Sequence, residues 1–293
     1  MSGMNRKQRR ASGKGAQATG EQLRILPSNL SGQIDGLSVL GGFAIHVSAN
    51  QKGLSTTVAG SLSSMVFAKC CAHARTIGAV AKQSSMFDHH AIMAMARMIM
   101  EASTMIAYLL DSVEQEEWDF RYLLLRLHDT AARIKLMRGF ESPAEDLRAG
   151  RDQLKAELEG HPAFLNHSEE RQKRMAGGEE MFAVGMRAVA TKMMGWNERQ
   201  FNGIYAYLSA HAHSAPVSFI RMEHHQIDYY FPSAAQTDIL TLVIEVAIAC
   251  LRRSTLRMID QQPEQIADYH PQLLIEAREQ DAACSFFANA VAH

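Results

Sequence analysis

The sequence predicts an all-α fold: a single bundle of about seven or eight helices behind a disordered basic N-terminal tail. Three observations carry this. Apolar residues recur at three- and four-residue spacing from about residue 60 onward. Helix breakers are sparse, with 7 Pro in 293 residues. Helix-start signals precede several of the apolar runs. Alternating strand–helix patterning is missing, which argues against a doubly wound dinucleotide-binding sheet.

Composition bounds the class. Hydrophobic residues make up 47% and charged residues 21%, with Lys+Arg 30 against Asp+Glu 31 for a net charge of −1. That profile excludes a mostly disordered or collagen-like chain, and a chain that is basic throughout. The four cysteines, Cys70, Cys71, Cys250 and Cys284, form no C-x-x-C pair and no metal-ligand spacing. Buried thiols in a reducing, cytoplasmic setting are therefore expected. No apolar h-region opens the chain, so a secretory signal peptide is not expected.

Residues 1 to about 22 read as the tail. Arg6, Lys7, Arg9, Arg10 and Lys14 precede the first acid, Glu21, among Ser, Gly, Ala and Gln. Such an arm can meet RNA or another anionic partner through counterion release, or simply stay solvated. Residues 23–293 read as one helical domain. From Leu23 to about Ala59, Pro27 and Gly32, Gly36, Gly41, Gly42 and Gly53 predict short helices and loops. Helical spacing begins near Leu62 and holds through Val80. Asp88 is the expected N-cap of a helix running to Leu110.

Between Asp88 and Asp111 the only formal charges are Arg97 and Glu101. The length approaches that of a membrane span. Each mid-span charge costs about 2.5–3.5 kcal/mol, however, and no second span of similar quality is evident, so a helix buried in a bundle is expected and no membrane. The next helix is expected over Glu117–Arg138, stopping at Gly139. Ser142-Pro143-Ala144-Glu145 reads as a capping box with Pro at the first helical position, opening a helix to Glu159. A polar stretch over 161–178 follows. Further helices are expected over Met181–Met194, from Asn197 to a stop at Pro216, from Ser233-Ala234-Ala235-Gln236 to about Ile259, and over Pro271–Ala290. Residues 217–232, with Tyr229-Tyr230-Phe231-Pro232, read as an extended connection.

Familiar catalytic signatures are missing. There is no phosphate-loop motif, no H-E-x-x-H and no G-x-S-x-G. Neither Glu101 nor Glu245 has a His three residues on, as a di-iron bundle requires. The histidine groups His89-His90, His211-x-His213 and His224-His225 lack a completing Cys or carboxylate, so no metal and no cofactor are expected. Arg121-x6-His128 matches the R-x(4–6)-H motif of helical HEPN ribonucleases in spacing alone. An ordinary basic helix face is the simpler reading.

Two polar groupings remain. Arg97 and Glu101, at i and i+4, share a face and can pair. Tyr205, Ser209 and His213 recur at i, i+4 and i+8 beside the apolar face of Phe201, Ile204 and Leu208. His213 closes its helix, where the dipole favours an imidazolium and invites an anionic partner. Since both helices must be buried, the cheapest way to satisfy these groups is against each other, in one inter-helical polar cluster.

The same residues carry a family resemblance. Phe67-Ala68-Lys69, Ala96-Arg97-Met98-Ile99-Met100-Glu101-Ala102 and Tyr108-Leu109-Leu110 resemble the core of a bacterial family known only as domain of unknown function 5677. Tyr205-x3-Ser209-x3-His213 resembles its second motif. The resemblance covers about residues 60–216 and implies an all-helical cytoplasmic protein with no established activity. The leading expectation is a regulatory or defence-associated module whose Arg97, Glu101, Tyr205, Ser209 and His213 cluster binds a ligand or partner protein; an oligomer is possible. The alternative is a metal-independent, HEPN-like ribonuclease in which His213 is the acid/base and Arg97 stabilises the phosphorane charge.

Overall fold

The computed structural model describes residues 26–51, 57–82, 86–141, 143–263 and 271–287. The tail cations Arg6, Lys7, Arg9, Arg10 and Lys14 lie outside the described residues. Within them the chain is all-α, in the order α1 (Ser28–Asn50), α2 (Val58–Lys82), α3 (His89–Leu110), α4 (Gln115–Gly139), α5 (Glu145–Glu159), α6 (Pro162–Leu165), α7 (Glu169–Ala176), α8 (Met186–Ala188), a π-helical segment Val189–Met193, α9 (Glu198–Ala212), α10 (Pro216–Phe219), α11 (Ala234–Gln261), α12 (Pro271–Ala282) and a 3₁₀ turn Ser285–Phe287. Eight of these helices have twelve residues or more; the four short ones exceed the number expected.

Helices α1, α2, α3, α9 and α11 pack around the main core, with α3 touching α2, α9 and α11. A second core lies under α4, α5, α6 and α7, built on Leu124, Leu127, Leu154, Leu158 and Phe164. Helix α3 joins the two: Met93, Ile99 and Met100 belong to the first core and Tyr108 to the second. Its buried residues run all around the axis. This explains the unpatterned apolar sequence of α3. The expectation of no second span-like helix is corrected: α3 and α11 are both long and apolar enough to cross a bilayer, with mean hydropathy 1.3 and 1.7. Both have most of the relevant window buried, 67% and 61%, against the rest of the protein.

Capping decides several boundaries. Asp88 accepts from the Ala91 amide at 3.0 Å to open α3, Asn197 accepts from Gln200 to open α9, and Ser233 with Gln236 closes a capping box at the start of α11. Elsewhere the structure departs from expectation. The glycine-rich stretch after Leu23 holds the single 23-residue helix α1. Its Leu30, Ile34, Leu37, Ala44 and Val47 are buried in the main core, and that packing outweighs the roughly 1 kcal/mol cost of each helical glycine. Helix α5 begins at Glu145 behind Ala144, which gives no side-chain cap. The helix thus starts two residues later than expected, and Ser142, the expected cap, lies outside the described residues.

The helix expected over Met181–Met194 is confined to Met186–Met193, one α turn followed by the π-helical segment. Gly185 sits at φ 82°, and Arg253 and Arg257 of α11 donate to the carbonyls of Met194 and Met193 at the end of the π-helical segment. Helix α9 stops at Ala212 with His213 as its C-cap, and Pro216 opens α10 rather than closing α9. In place of an extended connection, residues 217–219 belong to α10 and 220–226 form turns, with bends at 229–231. Helix α12 ends at Ala282, short of the expected Ala290.

Candidate functional site

Arg97 and Glu101 lie on α3, and Tyr205, Ser209 and His213 lie along α9 and its C-cap. The two helices pack together, and four of these five side chains meet. Arg97 Nη2 pairs with Glu101 Oε1 at 2.9 Å and donates to the Tyr205 hydroxyl at 3.2 Å. That hydroxyl donates on to Glu101 Oε1 at 2.8 Å. Arg97 Nη1 lies 2.9 Å from His213 Nε2. A guanidinium only donates, so Nε2 accepts and a neutral His213 ring carries its proton on Nδ1. The anionic partner expected at the α9 C-terminus is thus replaced by a cation. Burial works against the charge on Arg97, but the bonds to Tyr205 and Glu101 outweigh it and hold its pKa above the ordinary value. Ser209 does not join the group; its Oγ donates to the Tyr205 carbonyl one turn back, at 2.7 Å.

The cluster bonds mainly among its own members, with Arg97 Nε buried and unpartnered, and acts as a clasp between α3 and α9. Tyr205→Phe removes one donor and one acceptor from it, and should cost about 1–2 kcal/mol in urea denaturation. Combined with Glu101→Gln it should be non-additive by at least about 0.5 kcal/mol, because the two side chains share one hydrogen bond.

Arg121 and His128 also have structural work. Arg121 is 2% exposed. It donates to the Tyr108 carbonyl near the C-terminus of α3 at 2.8 Å, pairs with Asp111 and Glu117, and lies 4.5 Å from the Tyr108 ring centroid. His128 Nδ1 lies 2.9 Å from the Gly178 carbonyl. Neither forms an open catalytic pair.

A second polar grouping lies where the start of α3 meets the end of α9. His90 Nδ1 is 3.0 Å from His211 Nδ1. The His89 ring lies against His90, tilted by 40° with 3.8 Å between centroids, and Tyr229 packs 5.5 Å from His89. His89 is 2% exposed and His211 9%. Desolvation, with the neighbouring imidazoles adding to it and Asp88 opposing it at His89, lowers the pKa of His89 to about 4. Desolvation and His90 lower that of His211 to about 4. Both rings are therefore neutral at pH 7. His211 Nε2 is buried without a hydrogen-bond partner.

His89 and His211 border a cavity of about 210 Å³ closed by Met93, Tyr207, Ile239 and the α10 turn. Gln236 also borders it, but its amide is occupied: Oε1 accepts from Asp228 and Ser233, and Nε2 donates to the Asp228 carbonyl. Among the lining residues, His211 is the one with a buried side-chain polar atom, Nε2, that has no partner. Helical spacing puts His213 on one strip with Tyr205 and Ser209 and leaves His211 off it. The available signal was a histidine group at the start of one buried helix and another at the end of a second, which pairing those two ends would have joined.

Among the described residues no group of three His, Cys, Asp or Glu side chains is arranged to hold a metal ion. No family model, curated protein or solved structure matches the chain.

Proposed function

We propose that this protein is a ligand-binding helical bundle whose small-molecule site is the cavity between α3, α9, α10 and α11. One observation carries the reading: the neutral His211 ring borders a cavity of about 210 Å³, and its Nε2 is buried with no hydrogen-bond partner in the protein. An unmet buried polar atom costs about 1–3 kcal/mol, which a ligand donor or acceptor would recover. The Arg97–Glu101–Tyr205–His213 clasp contributes by holding α9, and with it Tyr207 and His211, against α3. The family resemblance of the clasp residues fits a cytoplasmic regulatory or defence-associated module of this kind.

The test is ligand-observed NMR of small aromatic fragments against the full chain and against Ala235→Phe, which fills the cavity from α11. Fragments that bind the full chain should weaken by more than about tenfold, or 1.4 kcal/mol, in the variant. Equal binding to both proteins, or no binding to either, would contradict the reading.

A second reading, the ribonuclease, is favoured by the exposure of His213 and its contact with Arg97. The tail cations Arg6, Lys7, Arg9, Arg10 and Lys14 would add attraction for RNA. Against it, the Arg97 guanidinium is engaged by Glu101, Tyr205 and His213. Incubation with total RNA decides: cleavage lost in His213→Ala would support the enzyme, and no cleavage by either protein would remove it.

A further inference from the structure

The cavity differs in chemistry from floor to mouth. Met93, Tyr207 and Ile239 give apolar and aromatic walls, and the Tyr207 and His211 rings lie 4.6 Å apart. An engineered cavity of about 150 Å³ holds benzene; at about 210 Å³ this one has room for one six-membered ring with small substituents. His211 belongs to the wall, and its Nε2, buried at the ring's edge, has one hydrogen bond left to make. Arg221 and His225 border the mouth. They are one turn apart, with the His225 amide donating to the Arg221 carbonyl at 2.9 Å, and both are exposed. Arg221 forms no ion pair among the described residues, and neither Glu223 nor Asp228 borders the cavity.

These features select among ligand classes. A carboxylate deep against neutral imidazoles would be desolvated without a counter-charge, which is costly. At the mouth it meets an unpaired guanidinium that can hold it bidentately. An amine would be repelled there. A plain hydrocarbon would leave His211 Nε2 unmet.

Building on the ligand-site reading above, we infer that the ligand is a small aromatic acid. Its ring lies between Met93, Tyr207 and Ile239, a polar ring substituent meets His211 Nε2, and its carboxylate pairs with Arg221 at the mouth.

The experiment is calorimetric titration of 4-hydroxybenzoate and of 4-methylphenol, which keeps the ring and hydroxyl but lacks the carboxylate, into the full chain and Arg221→Ala. The exposed position of Arg221 leaves the variant folded, which circular dichroism checks. The acid should bind the full chain at least about tenfold more tightly than the phenol, as expected for a charge-assisted pair. Arg221→Ala should erase that preference while leaving phenol binding unchanged. Equal binding of the two compounds to the full chain, or a preference for the acid that survives in Arg221→Ala, overturns the aromatic-acid class and leaves the ligand site standing. Binding of neither compound overturns both.

Discussion

Lowering the pH from 7.5 to 4.5 should destabilise the protein steeply, and His89 and His211 should account for most of the loss. In the unfolded chain each imidazole titrates near its ordinary value of about 6.5. In the folded chain burial holds each near 4. Between those values the unfolded state binds more protons than the native state, so stability falls as pH falls. The stabilisation is complete above pH 6.5, is lost progressively down to about pH 4, and changes no further below that. Each group contributes at most about 1.4 kcal/mol per pH unit, so the pair gives a slope of up to about 2.7 kcal/mol per unit near pH 5. Urea denaturation followed by circular dichroism at pH 7.5, 6.0, 5.0 and 4.5 measures it. His211→Leu should roughly halve the slope whatever its effect at pH 7.5. A flat profile, or an unchanged slope in the variant, would contradict neutral buried histidines at the cavity.

Arg121→Leu should be the most damaging single substitution outside the apolar core, at about 3 kcal/mol in the same assay. The side chain is 2% exposed, covers the Tyr108 ring and donates to the Tyr108 carbonyl. Removing it leaves that carbonyl unmet and opens a gap between α3 and α4. The paired carboxylates add less, because Glu117 and Asp111 remain in reach of water, with side chains 47% and 34% exposed. A cost below about 1 kcal/mol would show that Arg121 does not anchor α3.

How far the sequence led can be traced to particular residues. Helices whose starts are local were legible: Asp88, Asn197 and Ser233 cap through their own side chains within three residues. Helix α1 was not, because its glycines are tolerated by contacts with α2 and α11; Gly36, for instance, faces Ile248. The π-helical segment was hidden for a similar reason. Its terminal carbonyls are met by Arg253 and Arg257, about 60 residues away in the chain. At the site, the meeting of Arg97 and Glu101 with Tyr205 and His213 followed from the cost of burying each pair alone. The meeting of His89, His90 and His211 did not, because it joins the start of α3 to the end of α9, and no spacing rule links a helix start to the end of another. Ser209 shows the limit of face-sharing: it lies on the right side of α9 but spends its hydroxyl on the backbone.

The cavity account rests on one atom, and that atom can be observed. Long-range ¹H–¹⁵N spectra of the histidine rings, recorded with and without any fragment that binds the full chain, read the hydrogen bonding of each imidazole nitrogen. The account predicts that the His211 Nε2 resonance moves on binding while His46 and His128, outside the cavity, stay in place. A fragment that binds and leaves the His211 ring unchanged would contradict it.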